Sequence, residues 1–289
     1  MGSVPRKASI VNRTNSLTRI FQYGALTLFL IFLGFPLLWL LATSLKTGQE
    51  LNSLAVNLIP TPITLENYAE ALSGGRGLVM ATANSIVVSL ASTVLVMVLA
   101  VPGAYLMARS RGLGRSLGVG WVLVSQIVPV ILIIIPLFLI LRNVGLIDSL
   151  VGLTAVYVVF NLPFSLWMLQ GFVASIPVEI EEAGAIDGAG RFTVLRMLIF
   201  PLLQPGLVAT AMFTFVISFN EFFFALVLLQ TPSTYTLPVA LAAFVGSDGR
   251  VDVGPLAAAA LLASIPSIVF FAIVQRRLGN GLLSGAVKG

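Results

Sequence analysis

Acidic residues are scarce in this chain, and several of them fall in one short stretch. The chain has 11 Asp and Glu residues, and four of them, Glu179, Glu181, Glu182 and Asp187, lie within nine positions. The sequence contains no His and no Cys, so the commonest catalytic base, the commonest metal ligand and any thiolate nucleophile are missing. This composition disfavours a hydrolase or a metalloenzyme. We therefore expect no catalytic residue, no metal site and no cofactor bound by this chain.

Glu221 is a second candidate for chemistry, because it is the only acidic residue inside a long apolar run. A charge within a membrane is costly, so such a residue is a functional-site hypothesis by default. Glu221 either lines a substrate path, or it makes a hydrogen bond between helices or lies near the outer interface. Further polar residues within or beside apolar runs are candidates for the same path: Asn84, Gln126, Asn161 and Asn220.

Long apolar segments separate these polar groups and predict an all-α polytopic membrane protein. Hydrophobic residues make up 58% of the chain, charged residues make up 9%, and the mean hydropathy is +1.04. A helix needs about 20 mostly apolar residues to cross a bilayer. Six stretches qualify, at about 20–44, 84–108, 117–141, 151–171, 205–229 and 256–275. We expect a six-helix transmembrane domain over residues 20–277, an N-terminal segment 1–19 and a tail 278–289.

The distribution of basic residues predicts the orientation of these spans. Lys and Arg concentrate in short loops on the cytoplasmic side of membrane proteins. If the N-terminus is cytoplasmic, twelve of the 16 basic residues lie inside, and the remaining four are Lys46, Arg76, Arg142 and Arg250. Six spans then place both termini and the acidic loop 172–204 in the cytoplasm. Because the basic residues sit in short loops, we expect membrane lipid and not nucleic acid around them.

The sequence of the acidic loop predicts two short helices joined by a sharp turn. Pro177 suits the first turn of a helix, and the helix dipole favours the glutamates that follow it. Asp187 and Gly188 form a stop signal, since Gly readily adopts the left-handed conformation that ends helices. A second helix then reaches Pro201. Helices that lie on lipid usually carry Lys and Arg on the polar face, so docking into a protein groove is favoured over the lipid surface. A solvated connector is the other alternative.

The loop resembles the EAA signature of ATP-binding cassette (ABC) importer permeases, which reads E-A-A, three residues, Gly, nine residues, then I-x-L-P. The matching positions are Glu182, Ala183, Gly184, Gly188, Leu198, Phe200 and Pro201. Gly184 stands in place of the second Ala, Leu198 in place of Ile and Phe200 in place of Leu. The stretches "NLPFSLWMLQGFVASIP", "FNEFFFAL", "TLPVAL" and "QRRLGNGLLSGAVKG" are similar to the sugar-importer branch, whose smaller permease has six spans, as in the maltose transporter.

This resemblance implies a type I ABC importer permease fold in which the acidic loop is a cytoplasmic coupling helix. The residues that it assigns to ATPase coupling are Glu181, Glu182, Ala183, Gly184, Asp187, Gly188 and Pro201. The implied partners are a cytoplasmic ABC ATPase dimer that binds ATP and Mg²⁺, a homologous second permease in a heterodimer, and an extracytoplasmic solute-binding protein on the outer loops. The implied location is the inner or plasma membrane of a bacterium or archaeon. The implied substrate is a di- or oligosaccharide, followed by glycerol-3-phosphate or a polyol.

Two alternatives come from other classes of protein. The chain has no G-x-x-x-x-G-K-[ST] phosphate-binding sequence, so any uphill transport draws on a separate ATPase or on an ion gradient. An ion-coupled secondary transporter that uses Glu221 is the first alternative. A membrane scaffold or a membrane-embedded enzyme is the second, and the lack of clustered carboxylates within the spans disfavours the enzyme.

Overall fold

The computed structural model of the protein describes residues 16–53, 57–73, 77–110, 112–246 and 250–282. These residues form α-helices joined by turns, with one isolated β-bridge between Val245 and Val251. The basic start of the chain, Arg76, and positions 283–289 of the predicted tail lie outside the described residues. The last helix runs to Leu282, so the described part of the predicted tail is helical.

In the described part of the chain, four helices are long and apolar enough to cross a membrane. They are α1 (Ser16–Ser44), α4 (Leu78–Arg109), α7 (Leu150–Ala174) and α14 (Val253–Leu282). The short helices α2 (Gly48–Leu51) and α3 (Glu66–Ser73) lie between α1 and α4. Each long helix begins before the first residue of its predicted span. At α7 the start is capped, because the Ser149 hydroxyl accepts the N–H groups of Val151 and Gly152.

The third predicted span, 117–141, is two helices rather than one. α5 (Leu113–Ile127) and α6 (Val130–Asn143) meet at a bend of 97°. Pro129 has no N–H to donate and disfavours helical backbone in the residue before it, and Val128 is accordingly extended, with ψ 119°. Non-helical backbone at membrane depth is tolerated only where protein covers it or where it lines a water-filled cavity. The break therefore marks a face that must be shielded from lipid.

The fifth predicted span, 205–229, is also interrupted. α11 (Gln204–Phe219) stops before Asn220, and α12 (Phe223–Leu228) continues the chain. Ahead of α11, the chain forms α8 (Glu179–Ile186), α9 (Arg191–Val194), a π-helical turn (Leu195–Ile199) and α10 (Phe200–Leu202). The segment from α9 to α10 meets α11 at 74°, and the number of spans rises from four to as many as six when each bent pair is counted as one. α13 (Leu237–Ala242) precedes α14.

Helices α4, α7 and α11 form the centre of the bundle, and small hydroxyl groups lie where they meet. The Ser92 hydroxyl of α4 donates to Ser218 Oγ of α11 at 3.2 Å, and the Asn161 amide of α7 donates to the same oxygen at 3.2 Å. The hydroxyl oxygens of Ser165 and Thr214 lie 3.1 Å apart. Hydrogen bonds between helices hold membrane bundles in register, at about 0.6 to 2 kcal/mol each. They fix the three helices against one another.

The long helices give the molecule two ends, which serve as landmarks below. α7 runs between Asp148, just before its first turn, and α8, just after its last. We call these the Asp148 end and the α8 end of the bundle. α4 runs the other way, because its last residue, Arg109, reaches α8, whereas Asn84 near its start contacts the segment 233–235.

Candidate coupling and translocation sites

Helix α8 ends in a tight turn at the position that the sequence indicates. Gly188 has φ +83°, a left-handed conformation that Gly adopts at little cost. The Gly188 N–H donates to the carbonyl of Ala185 at 3.1 Å, and the Ala189 N–H donates to the carbonyl of Gly184 at 2.9 Å. These two bonds form a Schellman motif, which satisfies the last carbonyls of a helix. The turn folds α9 back onto α8 and gives the loop a defined shape.

One side of α8 is exposed and combines negative charge with apolar groups. Glu182, Ala183, Asp187 and Gly188 are exposed, and Ile186 is 86% exposed. Beyond the turn, exposed apolar side chains continue this surface, and they include Phe192 and Met197. Pro201 is exposed at the end of the same segment. An exposed apolar patch beside charged groups is typical of a protein interaction site.

Gly184, the residue that departs from the EAA signature, faces inwards instead. It is buried, and a Cβ built on it would lie 2.7 Å from Leu198 Cδ1 and 3.3 Å from Val194 Cγ2. The missing side chain lets α8 pack directly against the segment that contains α9 and the π-helical turn. Gly184 therefore sets the separation of the two helices and contributes no atom to the exposed surface.

Glu181 also faces inwards, where it pairs with the end of α4. Arg109 Nε donates to Glu181 Oε1 at 2.7 Å, and Arg109 Nη2 lies 2.6 Å from the same oxygen. The Tyr105 hydroxyl donates to Glu181 Oε2 at 2.7 Å. The side chains of Arg109 and Glu181 are only 17% and 13% exposed, so solvent screens the pair little. Glu181 is thus an internal connection and is largely withdrawn from the exposed face of α8.

At the opposite end of the bundle, Asp148 holds the segment 230–234. Its carboxylate accepts the N–H groups of Gln230 and Thr231, at 2.8 and 3.1 Å. It also accepts the hydroxyls of Thr231 and Thr234, at 2.9 and 2.6 Å. Burial by itself would raise the pKa of Asp148, but these hydrogen bonds outweigh it and lower the pKa from 3.8 to about 2. The carboxylate therefore stays ionised throughout the physiological range.

Asn84 fixes the same segment from the side of α4. Its amide donates to the carbonyls of Ser233 and Tyr235, each at 2.9 Å, and the side chain is buried. The next residue, Ser85, accepts the N–H of Leu237 at 2.7 Å. Asn84 therefore uses both amide hydrogens within the chain, and its donors are not open to a substrate.

Glu221 and Asn161 are likewise occupied by contacts between helices. The Glu221 carboxylate accepts the Tyr157 hydroxyl of α7 at 2.9 Å. It also accepts the N–H groups of Phe224 and Ala225, at 2.9 and 3.2 Å, where it satisfies the first turn of α12. Of the two interpretations of Glu221, the geometry favours the hydrogen bond between helices. Asn161 is buried and donates to Tyr157 O and to Ser218 Oγ.

Gln126 and Asn220 are the two path candidates that remain exposed. Asn220 donates to the Val216 carbonyl of its own helix at 2.8 Å. Gln126 lies at the α5–α6 break and lines a cavity of about 250 Å³, together with Trp121 of α5 and Pro163 of α7. Pro163 is near the middle of α7, so this cavity lies well inside the bundle's length. An exposed amide at that depth is unfavourable against lipid.

The structure thus divides the predicted residues into separate groups. Glu182, Ala183, Asp187 and Gly188 share one exposed surface at the α8 end, whereas Asn84 lies at the Asp148 end and Gln126 between the two. Sequence reasoning missed Arg109, Tyr105 and Asp148, whose partners are distant in the chain. Among the described residues, no three Asp or Glu side chains converge in a way that could hold a metal ion.

Comparison with known proteins identifies the class to which this architecture belongs. Residues 100–283 match the family described as "Binding-protein-dependent transport system inner membrane component". This match covers more than half of the chain, which therefore belongs to that family.

Particular relatives agree with this assignment. The chain is 52% identical over 230 residues to the ABC transporter permease protein ORF1 of Streptomyces antibioticus, covering 80% of this chain and 100% of that relative. It is 39% identical over 255 residues to the trehalose transport system permease protein SugB of Mycobacterium tuberculosis, covering 88% and 92%. A chain of a bacterial ABC transporter involved in alginate import has the same fold, with a TM-score of 0.77 and 22% identity over 93% of this chain and 99% of that one.

The packing at Gly184 predicts that the thermal stability of the protein falls steeply as the side chain at this position becomes larger. We expect Gly184→Ala to retain assembly and activity, because the nearest atom is the flexible end of Leu198, which can shift. We expect Gly184→Val to force α8 away from Val194 and Leu198 and to lower thermal stability by several degrees, as overpacking costs about 1–3 kcal/mol. Thermal unfolding in detergent measures the difference, with Ala185→Val on the exposed side as the control. Equal unfolding temperatures for the two valine variants would contradict the inward position of Gly184.

The hydrogen bonds of Asp148 predict a loss of stability when its carboxylate is removed. Asp148→Ala loses all four bonds and places Ala at φ +55°, whereas Asp148→Asn tolerates that φ and keeps part of the bonding. We expect the alanine variant to be less stable by about 1–3 kcal/mol and the asparagine variant to lie between it and the wild type. Since the folded-state pKa is lowered, the contribution is complete above pH 3.8 and is lost as the pH falls through about 2. A stability difference between wild type and Asp148→Ala that changes from pH 5 to pH 8 would contradict this assignment.

Proposed function

We propose that this chain is the permease subunit of an ATP-driven importer for a di- or oligosaccharide. The observation that carries the proposal is the exposed surface of α8 in a member of the binding-protein-dependent transport family. This surface occupies the position of the EAA signature and is held in shape by the Schellman turn at Gly188. ATP and Mg²⁺ belong to partner ATPase subunits in this proposal, and the chain itself binds no cofactor.

The coupling step uses the exposed residues of α8. Glu182 pairs with a basic residue in a cleft of the ATPase, while Ala183, Asp187 and Gly188 allow close approach of the helix to the cleft wall. Ile186 adds an apolar anchor, because its side chain is almost fully exposed and gains by burial. Gly184 and Glu181 support this surface from behind. In the orientation that the basic residues predict, α8 and both termini are cytoplasmic.

The translocation path runs along the face that carries the α5–α6 break. The extended backbone at the exposed residue Val128 and the Gln126 amide cannot face acyl chains without cost, so they are covered by a homologous second permease or by the water of the path. We assign Gln126 to this face, and Asn220 remains a candidate for the path because it is exposed. The solute-binding protein docks on the loops at the Asp148 end, which the hydrogen bonds of Asp148 and Asn84 hold in place.

The similarity to the trehalose permease SugB supports a carbohydrate as the substrate, since the resemblance extends over 88% of this chain. An ion-coupled transporter that uses Glu221 has weaker support. The Glu221 carboxylate is occupied by the Tyr157 hydroxyl and by the N–H groups at the start of α12. In that position it stabilises a helix junction and has no basic partner in the contacts described for it.

The proposal predicts that Glu182→Lys separates ATP hydrolysis from transport. The variant reverses the charge of α8 at its docking surface, so we expect hydrolysis to continue while ATP-dependent uptake falls at least ten-fold. Proteoliposomes that contain the ATPase dimer, the second permease and the sugar-loaded binding protein measure both rates, and co-purification measures assembly. Glu70→Lys, the same charge reversal at an exposed position of α3, is the control. Normal assembly and normal uptake by Glu182→Lys would refute the docking role, and wild-type uptake that collapses with an uncoupler but persists without ATP would refute the ATP-driven function.

The proposed path predicts that position 126 is reached by water-soluble reagents. Because the chain has no Cys, Gln126→Cys introduces a single thiol at the α5–α6 break. We expect a charged maleimide to label it in the assembled transporter and to reduce sugar uptake at least five-fold, since the adduct fills the cavity. Ala100→Cys, at a fully buried position of α4, is the unlabelled control. Failure of the Gln126→Cys protein to react would show that this face is sealed by packing and is not the path.

A further inference from the structure

We propose that α4 is a lever that carries the displacement of α8 to the loop 230–237 at the Asp148 end, and that the Arg109–Glu181 ion pair connects the lever to α8. Arg109 and Glu181 are then positioning residues for coupling and make no contact with the ATPase. This inference rests on the proposed function, because it concerns how the movement of a docked α8 crosses the membrane.

The connection at the α8 end joins three elements through one guanidinium group. Arg109 is the last residue of α4, and its Nε and Nη2 both contact Glu181 Oε1. Nη2 also donates to the carbonyl of Ile176, just beyond α7, at 3.0 Å. Tyr105, one helical turn before Arg109, holds the second carboxylate oxygen at 2.7 Å. A planar guanidinium with several directed bonds fixes orientation as well as distance.

A displacement of α8 must therefore move the end of α4 or break this pair. The two side chains are mostly buried, and separating a buried pair leaves a charge without compensation, which is strongly unfavourable. Moving α4 together with α8 keeps every bond. The ion pair thus favours joint movement over independent movement of the two helices.

The body of α4 is suited to transmit that movement over a long distance. Its 32 residues extend for about 48 Å at 1.5 Å per residue. A Cβ built on Gly103 would lie 2.6 Å from Leu166 Cδ2 of α7, so α7 packs against the α4 backbone near the Arg109 end. Further along, Ser92 joins α4 to Ser218 of α11. These contacts make α4 part of a packed unit rather than a free rod.

The far end of the lever is bonded to the loop at the Asp148 end. Asn84 donates to Ser233 O and Tyr235 O, and Ser85 accepts the Leu237 N–H. One helix thus holds the coupling helix at its last residue and this loop near its first turns. Because the loop lies on the side proposed for the solute-binding protein, α4 gives the two partner sites a direct mechanical connection.

The experiment measures how strongly the sugar-loaded binding protein stimulates ATP hydrolysis. In proteoliposomes that contain the complete transporter, the ratio of the stimulated to the unstimulated ATPase rate is compared for Arg109→Leu, Glu181→Leu and the double variant. We expect each single variant to lower the ratio at least five-fold and the double variant to lower it no further, because both changes break the same connection. Glu70→Leu, at an exposed position of α3 away from α8, is the control and keeps the ratio within two-fold of the wild type.

Three results would overturn the proposal. Single variants that assemble and keep the ratio within two-fold would show that the pair carries no coupling. A double variant whose loss is the product of the two single losses would show that the residues act separately. If the leucine variants do not assemble, the same ATPase ratio is measured for Glu181→Gln and Tyr105→Phe. A normal ratio in both variants would show that α4 does not act as a lever. A wild-type transporter without ATP-dependent uptake would instead refute the proposed function itself.

Discussion

The membrane imposes the constraint on which the rest of this structure depends, because no polar group at its centre can rely on water for a partner. At most of the positions described, another group of the same chain supplies the hydrogen-bond partner. Ser92, Asn161 and Ser218 bond across three helices, and the carboxylate of Glu221 takes up the free N–H groups of α12. Polar residues in the spans thus serve mainly to hydrogen-bond one helix to another. Gln126 departs from this pattern because it is exposed beside a broken helix.

The charged groups at the two ends of the bundle have a different role, because they hold loops in position. Glu181 and Asp148 each accept several hydrogen bonds from another part of the chain. Asp148 orders the segment 230–234, and Glu181 orders α8. α4 lies between these two arrangements and contacts both the segment near Tyr235 and α8. One packed core thus positions the two surfaces of this chain that we propose for partner proteins.

Local signals in the sequence account for what could be predicted. The turn at Gly188 is predictable because a Gly after an acidic helix has a strong conformational preference, and the long spans follow from their apolar length. Pro129 explains the break at Val128, but Pro136 and Pro163 lie inside continuous helices, so a proline within a span predicts neither a break nor the bend of 97°. The Arg109–Glu181 pair was not predictable, because its members are 72 residues apart and nothing in the sequence specifies which basic residue faces which acid. The inward position of Gly184 depends on its packing against Leu198, so it was not predictable from the sequence either.

The open break between α5 and α6 has a consequence for the life of the protein before it functions. A newly inserted copy exposes the extended backbone at Val128 and the Gln126 amide on a face where acyl chains would meet them. In that state these polar groups lack the partners that a bilayer cannot supply, which is unfavourable. Covering that face removes this cost. The same break that we assign to the proposed path therefore favours the assembled subunit over the free one.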